Sequence, residues 1–185
     1  MSDSSEPRYA FADFGDVTDA THRNTREIFT YWRSLWTDGH PPSRHQIDPV
    51  QMRRYLAYVT MGDLEPSPLR VKYRVYGTAH VAFNKRDLTG QYLDDFDCGA
   101  FDHIDWGACF RYLHETKRAI IGDKSLKGPN GLSRPYEYCI LPLFRDGDPA
   151  GGFLGFEALD LLDPHQIPDF GLLRARREPE PSAAQ

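Results

Sequence analysis

The spacing of apolar residues changes character along the chain, and each change marks an element. From Thr18 to Asp38 the pattern is helical: Ile28, Phe29, Trp32, Leu35 and Trp36 fall at offsets of one, four, seven and eight, which sets them on one stripe. Gly39, followed by Pro41 and Pro42, stops that helix. A stripe holding two tryptophans must cover something apolar, either the domain's own sheet or a second copy of the chain. Asp48 can cap free amides and Pro49 suits a first helical position, so a short helix is predicted to about Tyr55.

Strand patterns follow. Ala57 to Glu65 and Leu69 to Gly77 read as a hairpin around Pro66-Ser67-Pro68, its second arm alternating Val71, Tyr73 and Val75 with Lys72, Arg74 and Tyr76. Thr78 to Lys85 predicts a short helix, and Leu88-Thr89-Gly90-Gln91-Tyr92-Leu93 a turn whose glycine reaches a backbone angle other residues avoid. His103 to Arg118 carries Ile104, Trp106, Ala108, Cys109, Phe110 and Leu113 on a broad amphipathic helix. Three strands close the pattern, Ala119 to Leu126, Arg134 to Phe144 and Gly151 to Leu162, separated by the turn signals Gly128-Pro129-Asn130-Gly131 and Asp146-Gly147-Asp148-Pro149.

The last strand is apolar on both faces, Leu154, Phe156 and Ala158 alternating with Phe153 and Leu159. Both faces of the sheet are therefore expected to be covered, one by the middle helices and the other by the N-terminal helix or a partner. The expected organisation is a flexible arm over 1–16, a helical extension over 17–56, the sheet domain over 57–162 and a largely disordered tail over 163–185.

A chain of 185 residues supports one well-buried domain with extensions. Its net charge of −5 lacks the Lys and Arg excess that nucleic-acid binders use to displace counterions. The opening Met1 to Tyr9 contains Asp3 and Glu6 and no apolar secretory core, and no segment approaches the about 20 apolar residues of a membrane span. The expectation is a soluble, cytoplasmic protein with no nucleic-acid partner and no membrane insertion. The three cysteines, Cys98, Cys109 and Cys139, have no CxxC spacing, which points to reduced thiols rather than disulfides or zinc.

Tyr73-Arg74-Val75-Tyr76-Gly77-Thr78, Leu88-Thr89-Gly90 and Tyr138-Cys139-Ile140-Leu141-Pro142-Leu143 together resemble a Per-Arnt-Sim (PAS) domain. With Tyr31-Trp32, Leu35-Trp36, Pro42-Ser43-Arg44 and Ile47-Asp48-Pro49 ahead of the first strand, they resemble a bacterial, stand-alone PAS-like family over about residues 25–162. The resemblance implies an α+β fold: a five-stranded antiparallel sheet in the order 2-1-5-4-3, with small helices enclosing a pocket on one face. It also implies a sensory or regulatory role in signal transduction, exercised as a homodimer or through a signalling protein such as a sensor kinase. The Asn-Cys-Arg-Phe flavin-attachment motif is absent, so flavin and blue-light sensing are not expected.

Candidate pocket residues are Tyr73, Val75, His80, Phe83, Phe96, Trp106, Phe110, Tyr138, Ile140 and Phe156. They could line an apolar cavity for a small ligand, or simply fill a close-packed core. His80, His103 and His114 raise haem ligation, and a haem- or other cofactor-binding sensor stands as the alternative function. His103 and His114 lie about three helical turns apart, too far to share an ion, so no metal site is assigned and haem is not expected. Cys139 on a strand and Cys109 on a helix stripe read as small hydrophobes, and no catalytic residue is assigned. The face of Ile28, Phe29, Trp32, Leu35 and Trp36 is the expected association surface, covering the sheet while its edge meets a neighbour.

Overall fold

A computed structural model describes residues 12–13, 20–97, 106–127, 133–161 and 174–175. The strands are β1 (Ala12–Asp13), β2 (Val59–Glu65), β3 (Arg70–Tyr76), β4 (Phe96–Asp97), β5 (Ile120–Lys127), β6 (Ser133–Arg145), β7 (Asp148–Glu157) and β8 (Arg174–Ala175). Among the described residues three α-helices accompany them: α1 (Arg23–Ser34), α2 (Thr78–Asn84) and α3 (Trp106–Thr116). The main sheet is antiparallel in the order β1-β5-β6-β7-β2-β3. Counted from β2 as the first strand, β3-β2-β7-β6-β5 is the expected 2-1-5-4-3 arrangement. The sixth strand, β1, caps the otherwise open edge of β5 by pairing Ala12 with Ile121 and Asp13 with Ile120. A second short ladder joins Phe96 to Ala175 and Asp97 to Arg174.

Alternation along the central strands splits the interior into two layers. Cys139, Leu141, Leu143, Leu154 and Phe156 turn toward α1, where they meet Ile28, Phe29, Trp32, Met52 and Tyr55. Tyr138, Ile140, Phe153 and Ile120 turn the other way and meet Cys109, Phe110 and Leu113 of α3. A strand buried on both sides loses its polar alternation, which is why β7 reads as a continuous apolar run.

Polar groups fix α1 on its face. The indole N–H of Trp32, only 3% exposed, donates to the Pro142 carbonyl at 2.9 Å. Glu137 lies on β6 and accepts from the Thr21 amide at 2.8 Å, the Thr21 hydroxyl at 2.8 Å and the His22 amide at 3.2 Å. The carboxylate thus sits at the entry to the helix, where free amides and the positive end of the macrodipole favour negative charge. At the far end Ser43 forms a bridge with Phe144, and the Phe144 amide donates to the Pro42 carbonyl at 2.9 Å.

Two expectations need correction. No α-helix follows Pro49; residues 49–55 form successive turns leading into a 3-10 turn at Leu56–Tyr58. Met52 and Tyr55 are both buried, and bonds from the Tyr55 amide to Met52 and from the Tyr58 amide to Tyr55 keep residues three apart on one side. The alternation in β3 is also interrupted. Met61 faces Val75 but Gly62 faces Tyr73, so Arg74 is the extra residue of a bulge. Tyr76 consequently joins Tyr73 under the middle helices, whereas Val75 pairs with Met61, which packs with the α1 layer.

Replacing Trp32 with Phe should leave the Pro142 carbonyl without its donor and destabilise the fold by about 1–3 kcal/mol in urea unfolding, with further loss in Trp32→Ala from the cavity. Acid titration gives a second test. The Glu27 carboxyl is held below its ordinary value, first by the Tyr55 hydroxyl and then by Arg23, and Asp87 likewise by Thr89. Groups lowered in the folded state contribute stability that is fully present above about pH 4–5 and is lost as pH falls through their folded values. Glu27→Gln should flatten the acid side of a stability–pH curve.

Candidate functional site

The space between α3 and the sheet is built on strand glycines. A methyl group on Gly62 would meet the Phe153 ring at 2.5 Å, and one on Gly122 would meet the Tyr138 ring at 2.5–2.6 Å. Both positions face the helices, so their missing side chains let two aromatic rings lie close on the backbone. Phe153 then contacts Phe110 with centroids 4.6 Å apart and Tyr73 at 5.9 Å, while Tyr138 meets Trp106 at 5.3 Å. Tyr73 continues to Tyr76 at 5.1 Å and Tyr76 to His80 at 5.3 Å.

Five of the pocket candidates, Tyr73, Phe96, Phe110, Tyr138 and Ile140, converge in this layer, and Trp106 packs at its border. Phe83 forms a separate small group with Tyr136 and Leu159 at the α2 end. Phe156 lies on the opposite face, T-shaped against Tyr55, and Val75 is drawn away by the bulge. These two do not belong with the others. The residues missed by pattern reading are Phe153, Tyr76, Gly62 and Gly122; a glycine inside a strand was the available signal.

His80 is buried, its Nε2 3.0 Å from the Tyr58 carbonyl oxygen and its Nδ1 3.9 Å from Glu157. Both ring nitrogens therefore face protein groups and tie α2 to the 3-10 turn before β2 and to β7. His114 sits 3.5 Å from Asp148 near the β6–β7 turn, and His103 lies outside the described residues. In this layer Phe110 is in direct ring contact with Phe153, and Trp106 with Tyr138. Burial pushes the Cys139 thiol well above its ordinary pKa, with Glu137 adding to the effect, which keeps it a neutral hydrophobe. Cys109 is likewise buried, and Cys98 lies outside the described residues.

The association face is mostly spent within the chain. Ile28, Phe29 and Trp32 are buried against the sheet, and Leu35 and Trp36 pack at the margin of the same layer. Arg33 lies 4.0 Å over the Trp36 ring. The edge at Leu35 and Trp36 is the part that remains accessible.

A five-stranded antiparallel sheet in this order, with helices over an aromatic layer, defines a PAS-like α+β domain. A family model described as a PAS domain matches residues 20–155, and the chain belongs to that family. Among solved structures, the chain is similar to an RNA-binding light-oxygen-voltage receptor at 13% identity and a TM-score of 0.42, over 72% of this chain and 40% of that one. It is also similar to a fungal LOV domain photoreceptor at 14% identity and a TM-score of 0.38, over 71% of this chain and 89% of that one. The chain thus spans about two-fifths of the first of these. No curated protein matches the sequence.

Gly122→Ala should push the Tyr138 ring off the sheet and disturb its contact with Trp106. The expected outcome is a shifted tryptophan emission maximum and a loss of about 1–3 kcal/mol, typical of overpacking. Unchanged emission and stability would show that the ring does not depend on that glycine.

Proposed function

We propose that the chain is a PAS-type regulatory domain acting through protein–protein interaction in signal transduction, with a small ligand as an optional gate. The reading rests on the family assignment and, above all, on how the N-terminal extension is held. Its polar anchors sit at the two ends and the middle: Glu137 at Thr21 and His22, Pro142 at Trp32, and Phe144 at Pro42 and Ser43. All three anchor positions lie on β6, the strand that also carries Tyr138 and Ile140 on its other face. A displacement of the aromatic layer is therefore one backbone away from the cover on the opposite side.

A ligand or partner regulates such a cover only by binding its docked and shifted positions with different affinity. The partner class is a signalling protein such as a sensor kinase. Self-association into a homodimer would use the accessible edge at Leu35 and Trp36 rather than the buried part of the stripe.

Crosslinking in the native cell extract, followed by phosphotransfer assays on the kinases captured, tests this. Crosslinks should fall on residues 20–56, and kinase rates should change about fivefold or more on adding the chain. Glu137→Ala, which frees the helix entry, should alter that effect. Crosslinks elsewhere together with unchanged rates would overturn the reading.

A further inference from the structure

Three arginines from three separate segments converge on one buried carboxylate. Asp63 on β2 is 5% exposed at its side chain, yet it has Arg74 Nε at 2.5 Å, Arg44 Nη1 at 3.4 Å and Arg145 Nη1 at 3.6 Å. Arg44 belongs to the extension, Arg74 is the bulge residue of β3, and Arg145 ends β6 at the turn into β7. The nearby acid, Asp146, takes Arg145 Nε at 3.1 Å but is itself 81% exposed. Lys72, opposite Asp63 on β3, has its ammonium 4.9 Å over the Tyr92 ring.

The arrangement carries more positive charge than its carboxylates neutralise. Among the described residues Asp63 engages the Nε of Arg74 and one Nη of Arg44, and the two side chains are still 38% and 42% exposed. A single surface ion pair would need one cation, not three. Three guanidiniums against the Asp63 and Asp146 carboxylates leave a net positive charge, and guanidinium forks match the oxygens of a tetrahedral oxyanion. The bulge strengthens the case, because an inserted residue re-aims a side chain and here the re-aimed residue is an arginine of the cluster.

We infer that Arg44, Arg74 and Arg145, oriented by buried Asp63, form a receptor for a phosphomonoester dianion. Asp63 acts as the buried strut that pre-positions the guanidiniums, while Arg44 couples occupancy to the extension. The site is distinct from the aromatic layer and does not depend on the identity of any protein partner.

Inorganic phosphate is the first probe, titrated calorimetrically into the full chain against chloride at equal ionic strength. Saturable binding is expected, weakening as salt rises. Arg145→Gln should weaken it about tenfold or more, whereas Arg53→Gln, which removes an exposed arginine away from the cluster, should leave it unchanged. Circular dichroism confirms that each variant is folded; should Arg145→Gln fail to fold, Arg145→Lys, which keeps the charge and loses the fork, takes its place with the same expected direction. A nucleoside monophosphate and a phosphoserine peptide then identify the source, the tighter binder being the natural carrier. Absence of saturable phosphate binding, or binding equal in wild type and the folded Arg145 variant, overturns the proposal. Either result leaves the partner assays above untouched, since no partner is present.

Discussion

A sheet that is apolar on both faces cannot stand in water with either one open, and this constraint organises the whole chain. β6 and β7 alternate between two interiors rather than between an interior and solvent. The middle helices cover one face. The other is covered by α1 together with Met52 and Tyr55 of the turns before β2. The Trp32 indole bonded to the Pro142 carbonyl shows how closely that cover is fitted, because a backbone acceptor in the middle of the sheet finds its donor in a side chain of the helix.

The two interiors differ in kind. The α1 layer combines aliphatic side chains with rings anchored at their edges by hydrogen bonds, as with Trp32 to Pro142 and Tyr55 to Glu27. The α3 layer is a run of aromatic contacts laid over Gly62 and Gly122. Interiors packed this tightly respond to added volume by shifting whole groups rather than deforming continuously. β6 is shared by both interiors.

Charged residues divide along similar lines. Glu137 and Asp63 are buried and serve geometry, one holding the start of α1 and the other gathering arginines from distant segments. A buried carboxylate persists only where donors satisfy it, so each marks a place where separate parts of the chain must arrive together.

The stripe from Ile28 to Trp36, the hairpin about Pro66-Ser67-Pro68, the turn at Leu88-Thr89-Gly90 and the three closing strands were legible because each is a local periodicity or a local backbone requirement. So was the need for two covers, from the absent alternation in β7. The turn at Pro49 to Tyr55 was not legible: its capping signals are those of a helix, and the burial of Met52 and Tyr55 decided otherwise. The bulge at Arg74 could not be read either, since one inserted residue moves every later side chain to the other face and only the register with β2 reveals it. For the same reason Phe156 and Phe153 could not be assigned to their layers from β7 alone. Sequence by itself determined the order of elements and their apolar faces, because those follow from neighbours along the chain. Tertiary structure alone decided which ring meets which, and that three arginines share one carboxylate, because those contacts join residues whose separation in the chain carries no trace of their meeting.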